Sequence, residues 1–218
     1  MNEHSLMRSG SETRRRLVDA AERVIRDKGL ARATTREIAR EAGCAEGTLY
    51  LHFADKLDLV RAVHEKFLPS FVEVAAGTAG RAGSRTVRAN LVELAEGALA
   101  LYRDLLPLGS SMFAAPDLLE RYRTLLRARG AGPHRAIEPV VAYLEAEQAL
   151  GRVPAGADLA AAAVLLLGAC HQVVFVEQMV GQGALPLGGS PAARLVDALL
   201  AGLAPARPTD GADTEDEA

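Results

Sequence analysis

The sequence predicts an all-α fold in two parts, an N-terminal three-helix unit built on a helix-turn-helix and a larger C-terminal helical unit. Three observations carry this. Apolar residues recur at helical spacing in segment after segment, and glycine and proline punctuate those segments. The chain also has no tryptophan and only 4% aromatic residues, which leaves Leu, Ala and Val to fill the interior. At 218 residues it is long enough for one large or two modest domains, each with a core of its own.

Residues 1–10 read as a disordered arm. Ser11 or Thr13 is placed to cap a first helix running to Gly29, with Leu17, Ala20, Ala21, Val24 and Ile25 on one face. Arg14, Arg15 and Arg16 then fall at its start, where positive charge opposes the helix dipole; a phosphate backbone nearby and a solvated charge run explain this equally well. The stretch T-T-R-E-I-A-R-E-A-G-C-A-E-G-T-L-Y-L-H-F-A-D-K, residues 34–56, reads as two short helices and a tight turn. Thr35 is the expected cap of the first, with Ile38 and Ala39 inward. Gly43 stops it, and Gly47 is expected at a close backbone approach. In the second helix Leu49 and Phe53 share an inward face, while Glu46, Thr48, Tyr50 and His52 are shown to solvent. So short an element is not stable alone. Its polar face points to an outside partner, and a helix-turn-helix places its second helix in the DNA major groove.

Asp55 can cap a longer helix from Lys56 to about Ala76, with Leu57, Val60, Val63, Phe67, Phe71 and Val74 inward and a kink expected at Pro69. Gly77, Gly80 and Gly83 mark a loop. Ser84 to Asp104 is the next amphipathic helix, carrying Val87, Leu91, Leu94, Ala98 and Leu101. Two short helices divided by Pro116 follow, ended by Gly130 and Gly132, and Pro133 to Leu150 reads as one further helix. Leu159 to Val176 contains no charged residue, yet its alanines, Gly168, His171 and Gln172, and the lack of aromatic belts and a basic flank, favour a buried helix over a membrane span. Pro191 to Leu203 offers a second apolar helix with Leu195, Leu199 and Leu203 in one stripe. Two such helices per chain suggest a four-helix interface between two copies, with Leu166, Ala169, Val173, Leu195 and Leu199 at the contact. Residues 205–218 read as a disordered acidic tail.

The formal net charge of −3 argues at first against a nucleic-acid partner, but its distribution does not. Residues 1–66 are net positive, and the deficit is concentrated in the tail around Asp210, Asp213, Glu215, Asp216 and Glu217. Cys44 and Cys170 lie far apart without metal or redox spacing, so reduced thiols are expected. The opening M-N-E-H-S-L-M-R-S-G lacks the apolar stretch of a secretory signal, and the expected location is the cytoplasm. Cys170 and His171 are adjacent, so on a helix they point about 100° apart and cannot serve one pocket as nucleophile and base. No catalytic set, metal-ligand spacing or phosphate-cradling loop is visible, which predicts neither an enzyme nor a cofactor.

The motifs T-T-R-E-I-A, A-G, G-T-L-Y, H-F and D-K at these intervals resemble the DNA-binding domain of the TetR family of transcriptional regulators over residues 11–66. The resemblance implies an N-terminal DNA-binding domain at 11–55 and a helical ligand-binding and dimerisation domain at 56–204, paired through its last long helices. It implies that Thr34, Thr35, Thr48, Tyr50, His52 and Lys56 contact phosphates or groove edges, and that Arg36, Glu46 and Gly47 lie closest to bases. The sequence departs from the family at Ala45, where serine is common, and at Glu46, where a neutral or basic residue is usual. The resemblance also implies a pocket for a small hydrophobic or amphipathic effector among Phe67, Phe71, Leu101, Tyr102, Met112, Phe113, Tyr122, Tyr143 and Phe175, residues that could equally be plain core. The function implied is that of a homodimeric regulator, a repressor released from a palindromic operator by the effector. The alternative is an all-helical ligand-binding or protein-interaction module whose helix-turn-helix no longer reads DNA.

Overall fold

The computed structural model describes residues 3–203, with side chains for 10–202 apart from positions 69 and 70. Helices α1 (Glu3–Lys28), α2 (Thr35–Glu41) and α3 (Glu46–His52) are followed by α4 (Lys56–Ala79), α5 (Val87–Met112) and α6 (Pro116–Ala128). A 3₁₀ turn at Pro133–Ala136 leads to α7 (Glu138–Ala149), α8 (Leu159–Val180) and α9 (Pro191–Leu203), and no strand occurs among the described residues.

Two cores divide the apolar residues. The first gathers Leu17, Ala21 and Ile25 of α1, Ile38 of α2, Leu49 of α3 and Phe53, closed by Leu59, Val60 and Val63 of α4 and by Leu108 and Met112 of α5. The second holds Phe71 and Ala75 of α4, Leu91, Leu94 and Ala98 of α5, Tyr143 and Leu144 of α7, Leu166 and Cys170 of α8, and Val196 of α9. Each such buried large side chain stabilises the fold by roughly 1.5–3 kcal/mol relative to exposure. Helix α4 serves both cores, so the division expected between residues 55 and 56 falls at the start of a shared element.

The structure corrects several sequence-based boundaries. The arm expected at 1–10 is helical from Glu3, because only Gly10 disfavours a helix there and one interior glycine costs about 1 kcal/mol. The acidic tail lies outside the described residues. Helix α4 continues through position 69 to Ala79, so Gly77 is helical and Gly80 is the C-cap. Helix α5 starts at Val87, capped by Thr86, and runs through Pro107 to Met112 instead of stopping at Asp104. A proline frees the carbonyl four residues back, here that of Arg103. Gln178 Nε2 on α8 donates to that carbonyl at 3.2 Å, so the acceptor freed by the proline is not left unpaired. The helix expected over 133–150 is split, with Pro139 in the first turn of α7, where its missing N–H costs nothing.

A buried polar cluster fixes the end of the molecule far from α3. Glu147 is fully buried; it accepts from the Gly83 N–H at 3.4 Å and pairs with Arg152 at 3.2 Å. Asn90 donates to the Ser84 carbonyl at 3.0 Å and to the Tyr143 hydroxyl at 3.1 Å. These bonds hold the α4–α5 turn, where Arg85 adopts a left-handed φ of 56°. Burial pushes the Tyr143 hydroxyl up to about 12, so it stays protonated and able to donate.

Leu94→Ala should cost about 2–5 kcal/mol in urea unfolding, as expected for a core leucine with no exposed surface. Val72→Ala, on the open side of α4, should stay within about 0.5 kcal/mol. Equal losses at the two sites would show that the division between core and surface along this bundle is wrong.

Candidate nucleic-acid interface

The site grows from the α2–α3 turn. Thr34, rather than the expected Thr35, is the N-cap of α2: its backbone is extended and its hydroxyl accepts from the Glu37 N–H at 3.2 Å. That leaves Thr35 free for another task. Its hydroxyl donates to Glu46 Oε1 at 2.7 Å and lies 3.2 Å from the Tyr50 hydroxyl, tying the start of α2 to one flank of α3. Gly43 turns the chain with a φ of 68°, a conformation strained for any residue with a Cβ. Gly47 behaves differently. A Cβ there would meet nothing within 4 Å, so the close approach expected at this position is not made within the chain.

Leu49 and Phe53 are buried in the first core, as their spacing requires. The four polar residues do not share the opposite face, because residues two apart on a helix lie about 200° apart. Glu46 and Tyr50 flank α3 on the side of α2, whereas Thr48 and His52 lie on the other flank. The outward centre is Gly47 and Leu51, and Leu51 is 83% exposed. Leu51 was missed because the apolar type suggested an interior position, although its angular distance from Leu49 and Phe53 gives it away. Arg40 was missed as well. With Thr34, Arg36, Glu37, Cys44 and Glu46 it lines a groove between α2 and α3. Arg36 is exposed and has no ion-pair partner among the described residues, while Arg40 sits 3.8 Å from Glu37.

The other candidate cations are partly engaged. Lys56 donates to the Leu30 carbonyl at 2.6 Å, and burial lowers its pKa. Arg14, Arg15 and Arg16 stand in the middle of α1, so no dipole argument applies to them. Arg14 lies over the Phe53 ring at 4.9 Å, Arg15 pairs with Glu12 at 2.7 Å, and Arg16 donates to the Ala42 carbonyl at the end of α2.

The remaining expected sites are dispersed. Met112 is buried in the first core, and Tyr122 packs on that core. Phe71, Leu101 and Tyr143 are buried in the second core, Tyr102 borders it, and Phe67 touches both. Phe113 and Phe175 are exposed. These nine residues are thus distributed over two cores and the surface. Of the expected dimer contacts, Leu166 and Val173 are buried in the chain's own core, and Ala169, Leu195 and Leu199 are half-buried. Helix α8, expected to be buried, is covered on one face only. Val164, Leu165, Phe175 and Met179 are exposed at positions that recur with the helical period, and Ala161, Gly168 and Gln172 continue the stripe.

Helix α6 joins the two parts. Its Arg121 pairs with Asp55, the N-cap of α4, and its Tyr122 hydroxyl lies 2.8 Å from His64 Nδ1 on α4. Burial lowers the His64 pKa, which favours the neutral imidazole in this contact. Burial alone would raise Asp55, but the Asp58 N–H and Arg121 hold its carboxyl below the usual range.

The family model for bacterial regulatory proteins of the tetR family matches residues 17–63, from the second half of α1 through the first third of α4. The HTH-type transcriptional regulator TtgR of Pseudomonas putida is 44% identical over 52 residues, 24% of this chain and 25% of that protein. The aligned region is thus about a quarter of that relative's length. The HTH-type transcriptional regulator YvdT of Bacillus subtilis (strain 168) is 26% identical over 136 residues, 62% of this chain and 70% of the relative. Among solved structures, a TetR-family transcriptional regulator from Mesorhizobium loti has a TM-score of 0.70 at 22% identity, covering 88% of this chain and 97% of its own. The transcriptional regulator FadR from Bacillus subtilis, in complex with stearoyl-CoA, has a TM-score of 0.65 at 19% identity, covering 87% and 98%. These two extend the shared fold over the C-terminal helices.

Thr34→Ala should lower stability by about 1 kcal/mol through loss of the α2 cap. The depressed Asp55 carboxyl stabilises the fold above its unfolded pKa, and that contribution is lost as pH falls through the folded value. Asp55→Asn retains a capping oxygen without the charge, so the variant should lose less stability than wild type between about pH 5 and pH 3. Parallel acid limbs would show that the Asp55–Arg121 pair does not couple α6 to the N-terminal domain.

Proposed function

We propose that this protein is a cytoplasmic homodimeric transcriptional regulator, a repressor that leaves a palindromic operator when a small hydrophobic or amphipathic effector binds. The observation that carries the reading is the α2–α3 unit. It is a tetR-family helix-turn-helix whose second helix, too short to stand alone, is anchored by Leu49 and Phe53 and leaves Gly47, Leu51 and Tyr50 uncovered. Set in a major groove, α3 brings Glu46, Gly47 and Leu51 toward base edges, with Arg36 reaching from α2. Thr34, Thr35, Thr48, Tyr50, His52 and the remaining Lys56 donors lie toward phosphates.

The second copy covers α8. An exposed apolar stripe at Val164, Leu165, Phe175 and Met179, narrowed by Ala161 and Gly168, supports pairing of α8 and α9 with their mates into a four-helix interface. The contact residues are therefore Leu165 and Met179 rather than Leu166 and Val173.

The effector acts on the second core. FadR of Bacillus subtilis holds stearoyl-CoA, an amphipathic ligand, in a related fold. In this chain Phe71, Leu101, Tyr102 and Tyr143 are the large side chains of that core and its border, so an effector enters by displacing them, and α4 carries the displacement to the first core. In a dimer a small tilt of α4 changes the separation of the two α3 helices, and fixed half-site spacing converts it to lost affinity. An effector that weakens DNA binding about a hundredfold must bind free protein about a hundredfold more tightly than the complex, a coupling of roughly 2.7 kcal/mol.

Selection from a pool of random duplexes tests the reading and should enrich a pseudo-palindrome, with binding that weakens steeply as salt rises. Tyr50→Ala should lower affinity on every duplex and reduce the log-log salt slope by about 0.9 if it removes one phosphate contact. Enrichment of no sequence would reject DNA recognition. In light scattering, Leu165→Glu should give a folded monomer whereas Leu166→Glu, in the core, should unfold; a wild-type monomer at micromolar concentration would reject the interface.

A further inference from the structure

Glu46 is an unusual group for a helix directed at DNA, since a carboxylate approaching a polyanion loses affinity unless it finds a donor. It is not an exposed, wandering side chain. It is half-buried in the α2–α3 groove, Oε1 accepts from Thr35 at 2.7 Å, and Thr35 is in turn 3.2 Å from the Tyr50 hydroxyl. Oε2 has no partner among the described residues. The freedom of Thr35 to hold this carboxylate follows from the cap being made by Thr34 instead.

We propose, on the reading that α3 enters the major groove, that Glu46 is a specificity-determining residue whose Oε2 accepts the N4 amino proton of one cytosine in each half-site. The choice of base follows from the groove edges. A carboxylate only accepts; guanine presents two acceptors and thymine an acceptor with a methyl group. Adenine offers its N6 donor beside the N7 lone pair, which repels a carboxylate, whereas cytosine offers the N4 donor alone. Thr35 limits the rotamers of Glu46, so the ordering cost of reading that base is met before DNA arrives. The acidic group lowers affinity for all DNA and restores it only where cytosine stands, which makes it a device for rejecting wrong sites.

The test compares wild type, Glu46→Ala and Glu46→Gln in the same random-duplex selection. It then measures wild-type affinity for the selected duplex with that cytosine replaced by pyrimidin-2-one, which lacks the N4 amino group. Wild type should enrich a palindrome with one cytosine per half-site that disappears from the Glu46→Ala motif while the other positions persist. The pyrimidin-2-one duplex should bind wild type about tenfold more weakly and Glu46→Ala equally well. Glu46→Gln keeps an oxygen for Thr35, so it secures the fold if alanine does not; loss of the negative charge should raise its affinity for unrelated duplexes. An unchanged motif in Glu46→Ala and Glu46→Gln, or preference lost evenly at all positions, would overturn the proposal and leave Glu46 as a brace between α2 and α3. Failure of wild type to enrich any sequence would instead remove the DNA-binding reading and the proposal with it.

Discussion

Helix α4 is the constraint on which the rest depends, because it is packed into two cores at once. Leu59, Val60 and Val63 complete the core that holds α3, and Phe71 and Ala75 complete the core formed with α5, α7, α8 and α9. Interiors are close-packed, so neither end of such a helix can shift without the other core repacking. The end of α5 reinforces the link through Leu108 and Met112. Helix α6 packs on the first core through Leu118, Leu119 and Tyr122 and is tied there by Arg121 and the Tyr122 hydroxyl; with no fully buried residue it is the more easily displaced element.

The N-terminal part was legible because its chemistry is local. Leu49 and Phe53 at a four-residue spacing, Gly43 at a left-handed turn and Asp55 before a long amphipathic run each permit few structures, and the fold adopts them. What escaped were competitions between neighbours. Thr34 and Thr35 are equally good caps by type; Thr34 makes the cap, and Thr35 bonds instead to Glu46 and lies beside Tyr50 on the next helix. The helix expected to end at Asp104 continues through Pro107, and Gln178, far along the sequence, supplies a partner for the Arg103 carbonyl.

Helix α8 shows a different limit. A run apolar on all sides announces a helix but carries no phase, so sequence could place it without saying which face turns inward. Leu165 and Leu166 are indistinguishable by type, yet one is 64% exposed and the other buried. The same holds for the aromatic residues collected as one pocket, since their distribution between two cores and the surface depends on helix packing that no local pattern encodes. In the proposed dimer the exposed phase of α8 sets the distance between the two α3 helices, which joins the least legible part of the sequence to the most legible one.

The central claim is that two copies of α3 read DNA together. Hydroxyl-radical footprinting of the protein on its selected duplex tests it most directly. The account requires two protected patches on one face of the duplex, about one helical turn or roughly 34 Å apart and related by the operator's two-fold symmetry. A single protected patch, or uniform protection without symmetry, would contradict it.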